Sequence, residues 1–138
     1  MPDCIFCRIV AGTSRAVRIC EDDTAIAFMD RRPIQPGHAL VVPREHVVGV
    51  FDLSPSGYDH VMRMARRVAA ALQDQYAPPK VGLAVIGFDV AHAHVHVLPL
   101  FTVHDLTSGL LLEGKLKNVP IIELEASAGP LRERLATP

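Results

Sequence analysis

Residues 91–100 read AHAHVHVLPL and set His92, His94 and His96 at alternate positions between small or branched apolar residues. Imidazole serves as nucleophile, general acid or metal ligand near neutral pH. Three rings in five positions therefore open three uses: chemistry, metal binding, or a plain histidine-rich strand. Alternation sets the geometry. Residues two apart on an extended strand share a face, so the rings form one row while Ala93, Val95 and Val97 point to the other side. That apolar side is expected to pack on the core, leaving the rings toward a cleft or solvent.

A second set of ligating residues begins the chain. Cys4-Ile5-Phe6-Cys7 is a C-x-x-C pair, which is half of a zinc site. His46 in VPREHV, with one histidine of the row, would complete a Cys₂His₂ set. Free thiols or a redox pair are the alternatives, although the strand–helix–strand setting of a thioredoxin-like pair is missing. Cys20 stands alone in an expected strand and reads as a packing residue.

These side chains need elements to hold them. Residues 17–21 and 24–29 are rich in β-formers around the turn Glu21-Asp22-Asp23, which predicts a hairpin. RRPIQPGHALVVP reads as a Pro/Gly loop leading into an apolar strand over 38–42. One long helix follows, with Ser54 as N-cap and Pro55 at its first position. Val61, Met64, Ala65, Val68 and Leu72 recur on its apolar face, and Pro78-Pro79 end it. Strands are expected over 81–86 and 91–100, joined through Gly87. In the tail, VPIIELE reads as a strand and GPLRERLA as a short helix. The order describes an α+β domain, an antiparallel sheet of about five strands with the long helix laid on it.

Composition agrees with one domain of 138 residues, 49% apolar and 21% charged, able to bury a real core. The formal net charge of −1 demands neither nucleic acid nor a membrane surface as partner. Arg8 interrupts the short apolar run near the start, so no signal peptide or membrane span is expected there. Three cysteines do not make a disulfide framework. A cytoplasmic location is the expectation.

HAHVHVL resembles the alternating motif of the histidine triad (HIT) family. CIFCRIVAG, AIAFMDRRPIQPGHALVVPREHV and GFDVAHAHVHVLP are similar, in order, to segments of its nucleotide-binding branch. The resemblance spans about residues 4–100. It implies a HIT-like fold and a nucleotidyl hydrolase or transferase that attacks the α-phosphorus of a purine-nucleotide-like substrate. Its substrates would be nucleoside phosphoramidates, adenylylated compounds or dinucleoside polyphosphates. The middle histidine, His94, would be the nucleophile and form a covalent nucleotidyl-histidine. His96 would contact the phosphate and leaving group, and His38 with His92 would complete a tetrad. The sugar-phosphate transferase branch lacks the third histidine, so the presence of His96 favours hydrolysis.

The pocket carries over in the same way. Asp30, eight residues before His38, would accept both ribose hydroxyls. Phe6, Ile9 and Phe28 match apolar positions around the base, though core packing explains Ile9 equally well. Gly87 and Asp89 fall where relatives hold phosphate oxygens. Here the chain departs from the pattern: in VGLAVIGFDVAH Phe88 replaces a Gln, that loop holds no Asn, and Asp89 is an unexpected neighbour for a phosphate. Members with both cysteines resemble zinc proteins, which would place the metal on Cys4, Cys7, His46 and His92. A homodimer is the family's common state. A nucleotide-binding module with little turnover and a purely structural zinc protein remain as other classes.

Overall fold

The apolar runs after the first hairpin turn and before Arg44 become β2 (Ala25–Met29) and β3 (Ala39–Pro43), in which every residue is buried. Burial on both faces is why they read as continuous apolar runs rather than as alternating ones. In the computed structural model, which describes residues 3–107 and 116–136, they are joined by β1 (Arg18–Glu21), β4 (Lys80–Ala84) and β5 (Val95–Leu100). The sheet order is β1-β2-β3-β5-β4, antiparallel throughout. The chain thus has the expected α+β architecture.

Three α-helices accompany the sheet among the described residues: α1 (Ile5–Ala11), α2 (Pro55–Tyr76) and α3 (Ile121–Leu135). The expected caps of α2 are present. Ser54 Oγ accepts the Gly57 N–H at 3.1 Å, and Ala77 closes the helix in the left-handed region at φ 46° before Pro78-Pro79. Val61, Met64, Ala65, Val68, Ala71 and Leu72 face the sheet and meet Ala25, Ala27, Met29, Ala39, Val41, Val95 and Val97. Alternation sends the intervening residues Ile26, Phe28, Leu40 and Val42 to the opposite face, where Phe6 and Ile9 of α1 cover them. The site grows on this second face.

Four expectations are corrected. The first concerns α1, which was not anticipated. It is held by Cys4, whose Sγ accepts the Cys7 N–H at 3.4 Å, and by Gly12 at φ 81°. Secondly, VPIIELE is not a strand. It opens the 15-residue helix α3, which also contains GPLRERLA and places Leu124, Ala128, Leu131 and Leu135 against α2 and β1. A few β-branched residues in a row do not separate strand from helix. Thirdly, the strand expected over 81–86 ends at Ala84.

The fourth correction bears on the triad. β5 starts only at Val95, so His92 and His94 precede the strand. β3 ends at Pro43, which has no N–H to continue the ladder. Instead, Ala93 N–H donates to the Val47 carbonyl at 2.7 Å, and the Pro43 carbonyl receives a histidine ring. Of the rings expected toward a cleft or solvent, His94 and His96 line a cavity, whereas His92 is fully buried.

Candidate active site and metal centre

Backbone hydrogen bonds fix which nitrogen of each ring carries the proton. His92 Nε2–H donates to the Pro43 carbonyl at 2.8 Å. That leaves Nδ1 as a bare lone pair, and it faces Cys4 Sγ at 3.4 Å, Cys7 Sγ at 3.5 Å and His46 Nδ1 at 3.1 Å. Cys7 Sγ and His46 Nδ1 are 3.1 Å apart. The four donor atoms lie within 4.8 Å of one another. Tetrahedral zinc with ordinary Zn–S and Zn–N bonds needs donors about 3.3–3.8 Å apart. The His92–thiol separations fall in that range and the two at 3.1 Å lie just below it, so this donor set fits zinc with a small adjustment. The Pro43 carbonyl is the outer partner that orients a ligating imidazole. Burial, with His46 and His94 nearby, holds the His92 ring below the usual histidine range and favours the neutral, ligating form.

His94 is set by the same segment. Its Nδ1–H donates to the His92 carbonyl at 2.7 Å, so Nε2 carries the free lone pair. Nε2 is buried and has no hydrogen-bond partner. Asp89 Oδ1 lies 3.5 Å from it, near enough to feel its charge but too long for a good hydrogen bond. A buried unpaired nitrogen is costly in a purely structural role and is suited to a nucleophile. Phe6 packs its ring against His94, with centroids 5.0 Å apart.

His96 and His38 form a relay. Ile34 N–H donates to His38 Nδ1 at 3.0 Å, which puts the His38 proton on Nε2. That N–H donates to His96 Nδ1 at 2.9 Å and leaves the His96 proton on Nε2. Asp30 Oδ2 flanks the pair at 3.4 Å from His38 Nε2 and 4.0 Å from His96 Nδ1. Burial pushes both rings down to about 4, so both are neutral at pH 7. Asp30 shifts the other way: burial raises its carboxyl, partly offset by the Arg32 N–H that Oδ1 accepts at 2.8 Å. Asp30, His38 and His96 also cluster as possible ligands, but these hydrogen bonds already occupy the inward nitrogens.

A cavity of about 240 Å³ joins these parts, lined by Phe6, Ile9, Phe28, Leu40, Asp30, Asp89, His94 and His96. Of the expected pocket residues, Gly87 alone does not line it; it turns the exposed loop at φ 79°. His38 sits behind His96, and His92 belongs to the thiol cluster. Sequence reasoning missed Arg15, Arg31 and Arg32, which also line the cavity. The adjacent pair after Asp30 was the available signal.

A small antiparallel sheet with a histidine row over a nucleotide-sized cavity and a separate thiol–imidazole cluster defines a histidine triad protein. The HIT domain family matches residues 11–103, and the chain belongs to that family. It is 32% identical over 97 residues to adenosine 5′-monophosphoramidase hnt1 of Schizosaccharomyces pombe, covering 70% of this chain and 73% of that protein. Protein hit of Bacillus subtilis is 29% identical over 106 residues, 72% of each chain. A zinc-bound histidine triad family protein from Mycobacterium smegmatis superposes with a TM-score of 0.80 at 30% identity, covering 98% of this chain and 94% of that one.

Proposed function

We propose that this chain is a nucleotidyl hydrolase acting at the α-phosphorus of nucleoside phosphoramidates, adenylylated compounds or dinucleoside polyphosphates. The observation that carries the reading is the His94 ring, with Nδ1–H fixed on a backbone carbonyl and Nε2 bare at the cavity. The Nε2 lone pair attacks phosphorus, an N–P bond forms, and the bond to the leaving group breaks. The leaving group takes a proton from solvent. Water then attacks the nucleotidyl-histidine, loses a proton, and returns His94 to its starting state. Two displacements replace one difficult step.

The remaining roles follow from position. His96 presents its Nε2–H for a phosphoryl oxygen, and His38 holds His96 in that tautomer. Asp30 accepts ribose hydroxyls, while Phe6, Ile9 and Phe28 supply an apolar wall for a purine. Asp89 and Gly87 belong to the loop at the phosphate end. Cys4, Cys7, His46 and His92 would hold zinc, which supplies structural bracing for the segment that presents His94. The His92 carbonyl is the link between the two. Cys4, Cys7 and Cys20 form no disulfide, which suits a reducing cytoplasm. Exposed Leu83 on edge strand β4, with Val85 and Ile86 beyond it, supports a homodimer through that edge.

One observation favours the slower alternative, a nucleotide-binding module. The Asp89 carboxylate stands in front of Nε2, and an incoming phosphoryl group must displace it or meet its charge. Release of nucleoside monophosphate from the three substrate types, measured for the parent and His94→Ala, separates the readings. The hydrolase reading expects release that disappears with His94. AMP binding without release from any compound would favour the binding module.

A further inference from the structure

Five of the eleven arginines hold a named partner through their side chains. Arg18 and Arg44 bond Glu21, Arg67 bonds the Leu135 carbonyl, Arg132 bonds Glu125 and Arg134 bonds Gln75. Arg15, Arg31 and Arg32 are set apart by where they lie. All three are exposed, all three line the 240 Å³ cavity, and no hydrogen bond or ion pair engages their guanidinium groups among the described residues. Glu125 lies within electrostatic reach of Arg15, but its carboxylate is already paired with Arg132 at 2.8 Å.

Strand register places them at the far end of the cavity from the nucleophile. His96 pairs with Leu40, and Leu40 with Phe28. His94 is two residues before His96, and Asp30 is two residues beyond Phe28 in the same direction. The backbones of His94 and Asp30 thus fall on opposite sides of the Phe28–Leu40–His96 row, each just outside its paired strand. Met29 N–H donates to the Val17 carbonyl, and counting on from that bond sets Arg15 beside Arg31, just past Asp30. The Arg31 carbonyl accepts the Val119 N–H at 2.8 Å, and Arg32 N–H is bonded to Asp30, so the backbone of this rim is pinned.

A nucleotide with its α-phosphorus at His94 and ribose at Asp30 would leave Arg15 and Arg31 without a paired counter-charge, while Arg32 already acts on the Asp30 carboxylate. Guanidinium is the side chain whose planar fork binds phosphate bidentately. We propose that Arg15, Arg31 and Arg32 form a second anion subsite, and that the substrate carries a further phosphate on the 2′- or 3′-oxygen of its ribose. This rests on the nucleotidyl reading of the cavity and narrows its substrate class. The unphosphorylated hydroxyl remains for Asp30.

The test is the dissociation constant of the full chain for AMP, ADP, adenosine 2′,5′-bisphosphate and adenosine 3′,5′-bisphosphate at fixed ionic strength. One bisphosphate is expected to bind about ten- to a hundredfold tighter than AMP, the weight of a charge-assisted contact. ADP, whose extra phosphate lies on the leaving side, does not share the gain. Which bisphosphate wins identifies the ribose oxygen. In Arg15→Gln/Arg31→Gln the bisphosphate-to-AMP ratio collapses toward one, with the unfolding midpoint measured alongside. Equal affinity for AMP and both bisphosphates overturns the subsite, as does an ADP gain of the same size or a ratio that survives the double substitution. If the variant does not fold, the parent panel decides alone. Failure of AMP itself to bind removes the nucleotide reading together with the subsite, a result distinct from AMP binding without a bisphosphate gain.

Discussion

Burial of the His38–His96 pair makes stability depend on pH in a defined window. Both rings are pushed down to about 4 from an ordinary value of 6.5. Between those values the unfolded chain binds protons that the folded chain refuses, so unfolding becomes easier as pH falls. The stabilisation is therefore complete well above 6.5, declines as pH drops toward about 4, and levels off below. From pH 7 to pH 5 each ring accounts for about 2 kcal/mol, at 1.36 kcal/mol per unit. Asp30 acts in the opposite sense because burial raises its carboxyl, and Glu21 and Asp22 add acid losses of their own. Comparison with His38→Asn and His96→Asn removes these shared contributions. Urea unfolding at steps between pH 7 and 5 should show each variant losing about one proton of linkage near pH 5.5 relative to the parent. Variants whose stability falls with acid as steeply as the parent's would refute the buried neutral relay.

Two further outcomes follow from the packing. The purified chain should carry about one zinc, and Cys7→Ser should lose it together with several kcal/mol of stability, because ligand binding and folding are coupled at such a site. Metal content by atomic absorption and the thermal midpoint, each with and without chelator, measure this; metal retained by the Ser variant would exclude the Cys₂His₂ assignment. Leu131→Ala in α3 should cost about 3 kcal/mol by urea unfolding, since Leu131 is fully buried against α2 and β1. A loss below about 1 kcal/mol would mean that the helix is not docked as described.

Some elements were legible because one physical signal dominated them. Ser54-Pro55 at one end and Pro78-Pro79 at the other bound α2, and its apolar spacing gives the buried face. β2 and β3 showed as unbroken apolar runs because both of their faces are covered. Asp30 and His38 were recognisable through the resemblance to the histidine triad family, and the structure brings them within 3.4 Å. The histidine row misled in part. Alternation describes a strand over 91–100, yet nothing local reveals that the ladder with β3 stops at the Val41–Val95 pair, four residues after that strand's expected start. Pairing is a property of two segments, and the sequence of one does not contain it. α1 was hidden by Ile5, Ile9 and Val10, which favour strands, although Cys4 and Gly12 cap it. Arg15, Arg31 and Arg32 looked like ordinary solvated charges until the sheet register placed them around one cavity.

The covalent role of His94 is tested most directly by quenching the chain during turnover of a nucleoside phosphoramidate and mapping any added mass by peptide analysis. A nucleoside monophosphate increment on the peptide carrying His94, absent from His94→Ala, is the expected result. Turnover without an adduct, or an adduct on His96 or another residue, would contradict it.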